Sequence, residues 1–278
     1  MKTVIIFGGS GFIGNYIIRR LVKKDFKIII PYQTKANIPK LKLNGSVGQI
    51  IPIKFRSVDE EIIISQIKSA NVIINLKTIL DQKKISFEDG IYKFNLKICN
   101  YVNKYNPNCQ IIYFSGIGVD KDFTSKRSKS IFKSEEYYKE NAKNSIIVRP
   151  GIVIGGGDKF LQSLLSIIKI SPLIPLFGGG SSKFQPVFID DVALALTKII
   201  MGEISGGHIY DLVGNQVFSY KEFYNLIFSL LNKKRFFINL PFGFAKLIIL
   251  LLEKTPISPI NSEQFELFKK DNISSKNN

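Results

Sequence analysis

A chain of 278 residues with 45% apolar and 22% charged residues is long enough to bury a sizeable core and too apolar to be disordered or fibrous. Its net charge of +17 comes from 33 lysines and six arginines spread along the whole length, with no basic cluster interleaved with aromatics. That pattern excludes nucleic acid as the expected partner and leaves a peripheral contact with anionic lipid or an acidic subunit. Two cysteines without C-x-x-C spacing, Cys99 and Cys109, and a single histidine, His208, exclude a disulfide framework, a metal site and Ser-His-Asp chemistry.

In chain order, Met1-Lys2-Thr3 runs straight into an apolar strand at 4–7, so no secretory leader is expected and the expected location is cytoplasmic. Glycines follow, then a helix in which Ile13, Ile17 and Leu21 recur at four-residue spacing. Strands are expected at 27–31, 49–54, 71–76, 110–115 and 145–149, and helices at 60–68, 87–105 and 131–142. This alternation predicts an α/β fold of the Rossmann type, a doubly wound parallel sheet covered by helices on both faces. After Pro150 the rhythm breaks: glycine triplets at 155–157 and 178–180 and prolines at 172, 175 and 186 read as loops. A helix is expected at 190–201, opened by Asp190 and Asp191, and another to about Leu231 behind the S-x-x-E box of Ser219 and Glu222. The apolar stretch 240–252 contains Lys246 and falls short of the roughly 20 residues of a spanning helix, so it reads as a buried or interfacial helix. The expected organisation is a dinucleotide-binding domain over 1–155, to which later segments return, a small mixed C-terminal domain over 156–272 and a frayed tail over 273–278.

The chemistry concentrates in Gly8-Gly9-Ser10-Gly11-Phe12-Ile13-Gly14. This run satisfies G-x-G-x-x-G and G-x-x-G-x-x-G spacing between a strand and an amphipathic helix, the context in which a diphosphate meets free amides at a helix start. A glycine turn kept only for packing is the bland alternative. Enzymes that use NAD carry an acidic residue about 20 positions further on. Here the second strand ends in Pro31-Tyr32-Gln33-Thr34-Lys35. Lys35 can neutralise a 2′-phosphate, which favours NADP(H); if Lys35 is only a solvated lysine, NAD(H) is equally acceptable.

The segments VIIFGGSGFIG at 4–14, NVIINL at 71–76, IIYFSGIGVD at 111–120, IIVRPGIVIG at 146–155 and PLIPLFGGGSSKFQPVFIDDVA at 172–193, with LFKKDN at 267–272, resemble the extended, atypical short-chain dehydrogenase/reductase superfamily. Within it the chain is similar to relatives of the nucleotide-binding accessory subunit of respiratory complex I. The resemblance implies that Gly8, Ser10, Gly11 and Gly14 cradle the diphosphate, with Phe12 and Ile13 beneath it. Asn75, Leu76 and Lys77 then cover the adenosine side, Ser115 approaches the nicotinamide, and Pro150 and Gly151 pack near that ring. It also implies complex I subunits as partners and a place at the inner face of the respiratory membrane.

Active members of that superfamily use a Tyr-x-x-x-Lys pair, tyrosine as acid/base and lysine lowering its pKa. Here the tyrosine is absent: four residues before Lys129 stands Ser125, and four before Lys133 stands Lys129. The weak catalytic candidates are therefore Ser115, Ser125, Lys129 and Lys133, with Tyr113 as a substitute donor. A Lys133–Glu136 pair at i,i+3 and an Arg149 pair with Asp190 or Asp191 are the expected structural uses of those charges. Two functions stay open at this point: a nucleotide-binding accessory or assembly factor with little or no catalysis, and an active reductase, epimerase or dehydratase on a small carbonyl or sugar nucleotide.

Overall fold

A computed structural model describes residues 1–33, 38–119, 125–204, 207–252 and 265–275. The chain runs β1 (Thr3–Phe7), α1 (Phe12–Leu21), β2 (Lys27–Tyr32), α2 (Ile38–Lys42), β3 (Ile50–Lys54), α3 (Glu61–Ser69) and β4 (Val72–Asn75). A π-helical turn over Glu88–Lys93 leads directly into α4 (Phe94–Tyr105), followed by β5 (Gln110–Phe114), α5 (Lys126–Asn141) and β6 (Ser145–Pro150). Next come β7 (Val153–Ile154), α6 (Lys159–Ile170), β8 (Leu173–Phe177), β9 (Lys183–Phe184), β10 (Val187–Phe188) and α7 (Ile189–Met201). The last elements are β11 (Ile209–Leu212), β12 (Phe218–Ser219), α8 (Tyr220–Leu230), β13 (Phe236–Leu240) and α9 (Phe242–Leu252).

Two compact units result. The first comprises Met1–Phe123, Arg127–Pro150 and Ile189–Leu212; the second comprises Thr124–Lys126, Gly151–Phe188 and Val213–Asn278. The first unit is built on a parallel sheet in the order β11-β6-β5-β4-β1-β2-β3. Its central strands β1, β2 and β4 are apolar on both faces, as strands buried from both sides must be. Ile5, Phe7, Ile29, Ile73, Ile111 and Tyr113 pack with Ile63, Ile67, Ile98, Val102 and Tyr138 of α3, α4 and α5. The alternate residues Val4, Ile6, Ile28, Ile30 and Ile74 are equally buried and point to the opposite side. On α1 the buried stripe is Ile17, Ile18 and Leu21, and α7 lies alongside with Ile189, Val192 and Leu196 buried. Because the order reverses between β1 and β4, the carboxyl ends of those two strands open a crevice, the usual ligand position in such sheets.

Several elements differ from the sequence reading. Helix α5 begins at Lys126, five residues before 131, because its inward face opens with Ser128 and Ser130, small polar residues that carry no hydrophobic signal. The segment 87–105 winds first as a π turn and only then as an α-helix. The proline-bearing stretch read as a loop contains β8, paired in parallel with β13, Phe236 opposite Leu173 and Ile238 opposite Pro175. Strand β11, mixed in polarity, completes the main sheet beside β6. Asn272, just ahead of the expected tail, is held by backbone pairing: its N–H donates to the Lys183 carbonyl at 2.7 Å, its carbonyl accepts from Gln185 N–H, and Ser274 N–H donates to Gln185 Oε1 at 3.2 Å. Backbone pairing to β9 supplies the order that a polar composition does not announce.

The second unit has an aromatic core in which Phe184, Tyr220, Phe223, Tyr224 and Phe228 enclose Leu164, Ile168, Ile174 and Leu176. The capping box opens α8: Ser219 Oγ accepts from Glu222 N–H, and Glu222 accepts from Ser219 N–H at 2.7 Å. Among the described residues, no helix is long and apolar enough to cross a membrane.

Candidate functional site

The site begins where β1 ends. Gly8 sits at φ +78°, and a Cβ there would lie 3.0 Å from the backbone of Leu76 and Lys77, so the turn at β1 and the end of β4 touch main chain to main chain. Gly14, inside α1, faces Gly9 so closely that any Cβ would overlap the Gly9 carbonyl. Gly11 is different. It is exposed, its φ of −79° suits any residue, and a Cβ would meet only the Gly8 carbonyl at 3.2 Å. Packing therefore confines Gly8 and Gly14 on several sides but Gly11 at one carbonyl alone, and the exposed Gly11 leaves the outer side of the turn open.

Gly11 is also the N-cap of α1, with no side-chain cap over the first-turn amides and no acidic residue in that turn. Those amides carry the positive end of the helix dipole toward the open side, an arrangement that accepts a diphosphate. Phe12 and Ile13 are half-buried, Phe12 packing edge-on against Tyr16, and Ser10 is exposed with its carbonyl accepting from Asn15 Nδ2 at 3.3 Å. The donor set and the open cradle fit the diphosphate of a dinucleotide.

The second wall is the end of β4, and a buried polar network holds it. Asn75, opposite Phe7 in the sheet, is fully buried; its Nδ2 donates to Asn95 Oδ1 at 2.6 Å and its Oδ1 accepts from Lys77 N–H at 3.0 Å. Asn95 in turn donates to the Ile91 carbonyl and to Ser134 Oγ, while its Oδ1 accepts from the Tyr138 hydroxyl at 2.9 Å. Asn75 thus spends its side chain inside the protein, shaping the loop that carries Leu76 and Lys77. Asn95, Ser134 and Tyr138 are missed by sequence reasoning. The one usable signal was an asparagine on the apolar stripe Phe94, Ile98, Cys99 and Val102 of α4.

At the end of β5, the Ser115 N–H donates to the Val148 carbonyl at 2.8 Å, and its buried Oγ has no hydrogen-bond partner among the described residues. Such an orphaned hydroxyl fits a polar ligand group. Pro150 ends β6, its carbonyl accepting from Ile117 N–H at 3.0 Å. Gly151 belongs to the second unit, where a side chain would overlap the Gln185 carbonyl. Ser125 is buried just before α5 and groups with the second unit. Lys35 lies outside the described residues.

The lysines of α5 do not line its inward face. Lys129 and Lys133 are exposed, whereas Ser128, Ile131, Ser134, Glu135 and Tyr138 are buried. Lys133 pairs with Glu88 at 3.3 Å rather than with Glu136, which pairs with Lys139 at 2.5 Å. The Arg149 pairing is also corrected: its guanidinium forks onto Glu135, Nε donating at 2.9 Å, and Asp190 is held by Arg20 at 3.4 Å. Glu135 is wholly buried one helical turn from Tyr138, and the Arg149 guanidinium satisfies it. Tyr113 is no substitute acid: it is fully buried, its ring 5.2 Å from that of Tyr138, and desolvation pushes its phenol far up.

Residues 5–144 match the 3-beta hydroxysteroid dehydrogenase/isomerase family. The chain belongs to that family, among the extended short-chain dehydrogenase/reductases. It is 30% identical over 275 residues to the mitochondrial NADH dehydrogenase (ubiquinone) 1 alpha subcomplex subunit 9 of Arabidopsis thaliana, covering 96% of this chain and 68% of that protein. It is 26% identical to the mitochondrial NADH-ubiquinone oxidoreductase 40 kDa subunit of Neurospora crassa, covering 94% of this chain and 68% of that one. The family member thus spans about two thirds of those relatives. Among solved structures it superposes on dTDP-glucose 4,6-dehydratase of Bacillus anthracis in complex with NAD, with TM-score 0.69, 19% identity and coverage of 87% and 85% of the two chains. UDP-N-acetylglucosamine 4-epimerase of Methanobrevibacter ruminantium gives TM-score 0.70 at 15% identity, covering 86% and 85%. At those identities the likeness establishes the fold.

Proposed function

We propose that this chain binds a nicotinamide dinucleotide, NADP(H) in preference to NAD(H), on the turn 8–14. In this reading it is an accessory or assembly subunit of a respiratory NADH:quinone oxidoreductase that does not transfer hydride. The relatives named as subunits of that complex support the partner. The open Gly11 side of the turn supports the diphosphate, with Ser10, Phe12 and Ile13 around it, Leu76 and Lys77 as the second wall, and Ser115 and Pro150 toward the nicotinamide. Lys35 is the residue proposed to select the 2′-phosphate.

The observation that carries the non-catalytic reading is the inward face of α5. A proton donor for hydride chemistry must reach the substrate, and the one tyrosine buried on that face, Tyr138, is fully enclosed with its hydroxyl committed to Asn95. The exposed Lys129 and Lys133 do not join it. When bound, the nucleotide would supply a redox-active ring; the chain supplies amides, a shaped wall and the Ser115 hydroxyl.

Docking falls to the second unit. The outward face of the β8–β13 pair carries exposed Leu173, Phe236 and Ile238, and α9 adds exposed Phe244, Leu247 and Leu250. An apolar surface of that extent marks a partner site, and Lys233, Lys234 and Arg235 beside it suit the inner face of the respiratory membrane. The decisive experiment is mass spectrometry of nucleotide released from the natively purified protein, followed by affinity capture from solubilised respiratory membranes. NADP(H) in the released fraction together with complex I subunits in the capture is the expected result; an empty protein that recovers none of them refutes the proposal. The orphaned Ser115 hydroxyl favours one second reading, a reductase or epimerase in which it orients a carbonyl. Oxidation of NADPH by the loaded protein with any member of a carbonyl or sugar-nucleotide panel would establish it.

A further inference from the structure

Away from the glycine turn, the first unit holds a cavity of about 340 Å³ between α1 and α7. Arg19 and Arg20 from the last turn of α1, and Lys23 and Lys24 from the 3-10 turn that follows, line it together with one carboxylate, Asp190. The carbonyl end of α1 attracts cations with about half an elementary charge, so that end and Asp190 together leave most of the four cations unbalanced. Arg19, Lys23 and Lys24 form no ion pair among the described residues. Arg19 lies over the Tyr16 ring at 5.4 Å and donates to Asn44 Oδ1 at 3.3 Å. Arg20 is half-buried and poorly satisfied. Its Nη2 reaches Asp190 Oδ1 at 3.4 Å, beyond ordinary hydrogen-bond length, and its buried Nε has no acceptor among the described residues. A guanidinium offers five donors in a fork that matches two oxygens of one phosphate, and Asp190 engages that fork at a single long contact.

We propose that this cavity between α1 and α7 binds the phosphate of a glycerol phosphate group, with Arg20 as the residue that grips it. The inference stands apart from the nucleotide reading, since it uses no residue of the turn 8–14. Arg20 forks onto the phosphate oxygens, and Lys23 and Lys24, exposed at the same cavity, add positive charge. The volume is at the lower end of small-molecule sites, which suits a headgroup-sized ligand. Tyr16 and the exposed Leu194 complete the wall with carbon surface, which a glycerol ester can cover and inorganic phosphate cannot. Glycerol phosphate occurs free and as the headgroup of an anionic phospholipid, and both present the same chemistry to Arg20. Asp190 repels either form, so the site is weaker with that carboxylate than without it.

The test measures binding of the full chain to glycerol 3-phosphate and inorganic phosphate by calorimetry, and to vesicles of phosphatidylcholine with and without phosphatidylglycerol by co-sedimentation. Salt at about 0.15 M screens the diffuse charge of the whole molecule. Loss of the charge-assisted fork predicts about 10- to 100-fold weaker binding for Arg20→Gln, with Arg20→Lys in between. The double variant Lys23→Gln, Lys24→Gln should lose about fivefold per charge, while Lys68→Gln with Lys104→Gln, which removes two exposed charges of α3 and α4, leaves binding unchanged. Asp190→Asn should tighten binding by up to about fivefold, a gain that a purely structural role of the Arg20 pair does not produce. In the wild type, the NMR signal of the Arg20 Nε–H should shift on titration with glycerol 3-phosphate, a measurement that needs no variant to fold. Saturable binding of glycerol 3-phosphate, tighter than that of inorganic phosphate, identifies the free ester as the ligand. Arg20-dependent retention on phosphatidylglycerol vesicles without it identifies the lipid headgroup, and either result supports the site. Absence of binding to every probe, native binding in Arg20→Gln, or equal losses in the two lysine double variants overturns it and leaves the nucleotide reading untouched.

Discussion

Gly11 and Gly14 carry the same residue type for opposite reasons, and substitution separates them. Gly14→Ala forces a methyl into the Gly9 carbonyl and should cost about 1 to 3 kcal/mol in a urea titration, through overpacking. Gly11→Ala should cost within about 1 kcal/mol, the difference between glycine and alanine at an N-cap, while weakening nucleotide binding by calorimetry. The ion pairs separate likewise. Glu135→Ala strands the Arg149 guanidinium beside a buried site and should cost about 3 kcal/mol, whereas Asp190→Asn breaks an exposed pair and should cost less than about 1 kcal/mol. Burial also raises the thiols of Cys99 to about 11 and Cys109 to about 12, so both stay protonated at pH 8. Native protein should resist a thiol reagent that labels both cysteines within minutes in denaturant.

The regular elements follow local chemistry where the sequence states it. The Ser219–Glu222 box begins α8 one residue later, and Asp158 caps α6 by accepting from Leu161 N–H at 2.6 Å. Ser219→Ala should lower stability by about 1 kcal/mol, measured by thermal unfolding, since it removes the acceptor for Glu222 N–H. Other elements carry no such statement. The serines that open α5 are buried through hydrogen bonds and tight packing, so the apolar period that announces a helix begins only at Ile131. The π turn before α4 holds Gly90 and Ile91 in the core, and the Ile91 carbonyl accepts from Asn95, the hub of the network under the β4 loop. Such turns are frequent where a helix must aim a side chain out of its normal register.

The first unit is assembled from three stretches of chain, with α7 and β11 arriving after the Gly151–Phe188 stretch of the second unit has been traversed. A fragment ending at Pro150 would lack the partner strand of β6 and the helix packed along α1. Fragment 1–150 should therefore show weak near-ultraviolet dichroism and rapid proteolysis, while the full chain resists; a stable, protease-resistant fragment would contradict this account of the unit.

From the sequence alone come the strand-turn-helix around the glycines, the α/β alternation and the family resemblance, because each depends on residues near in the chain whose spacing mirrors a backbone period. The dependence of α5 and β11 on distant neighbours, the diversion of Arg149 from Asp190 to Glu135, and the anchoring of Asn272 depend on tertiary structure. Each is a choice among several local partners of equal merit, and only burial against remote segments makes one cheaper than the rest.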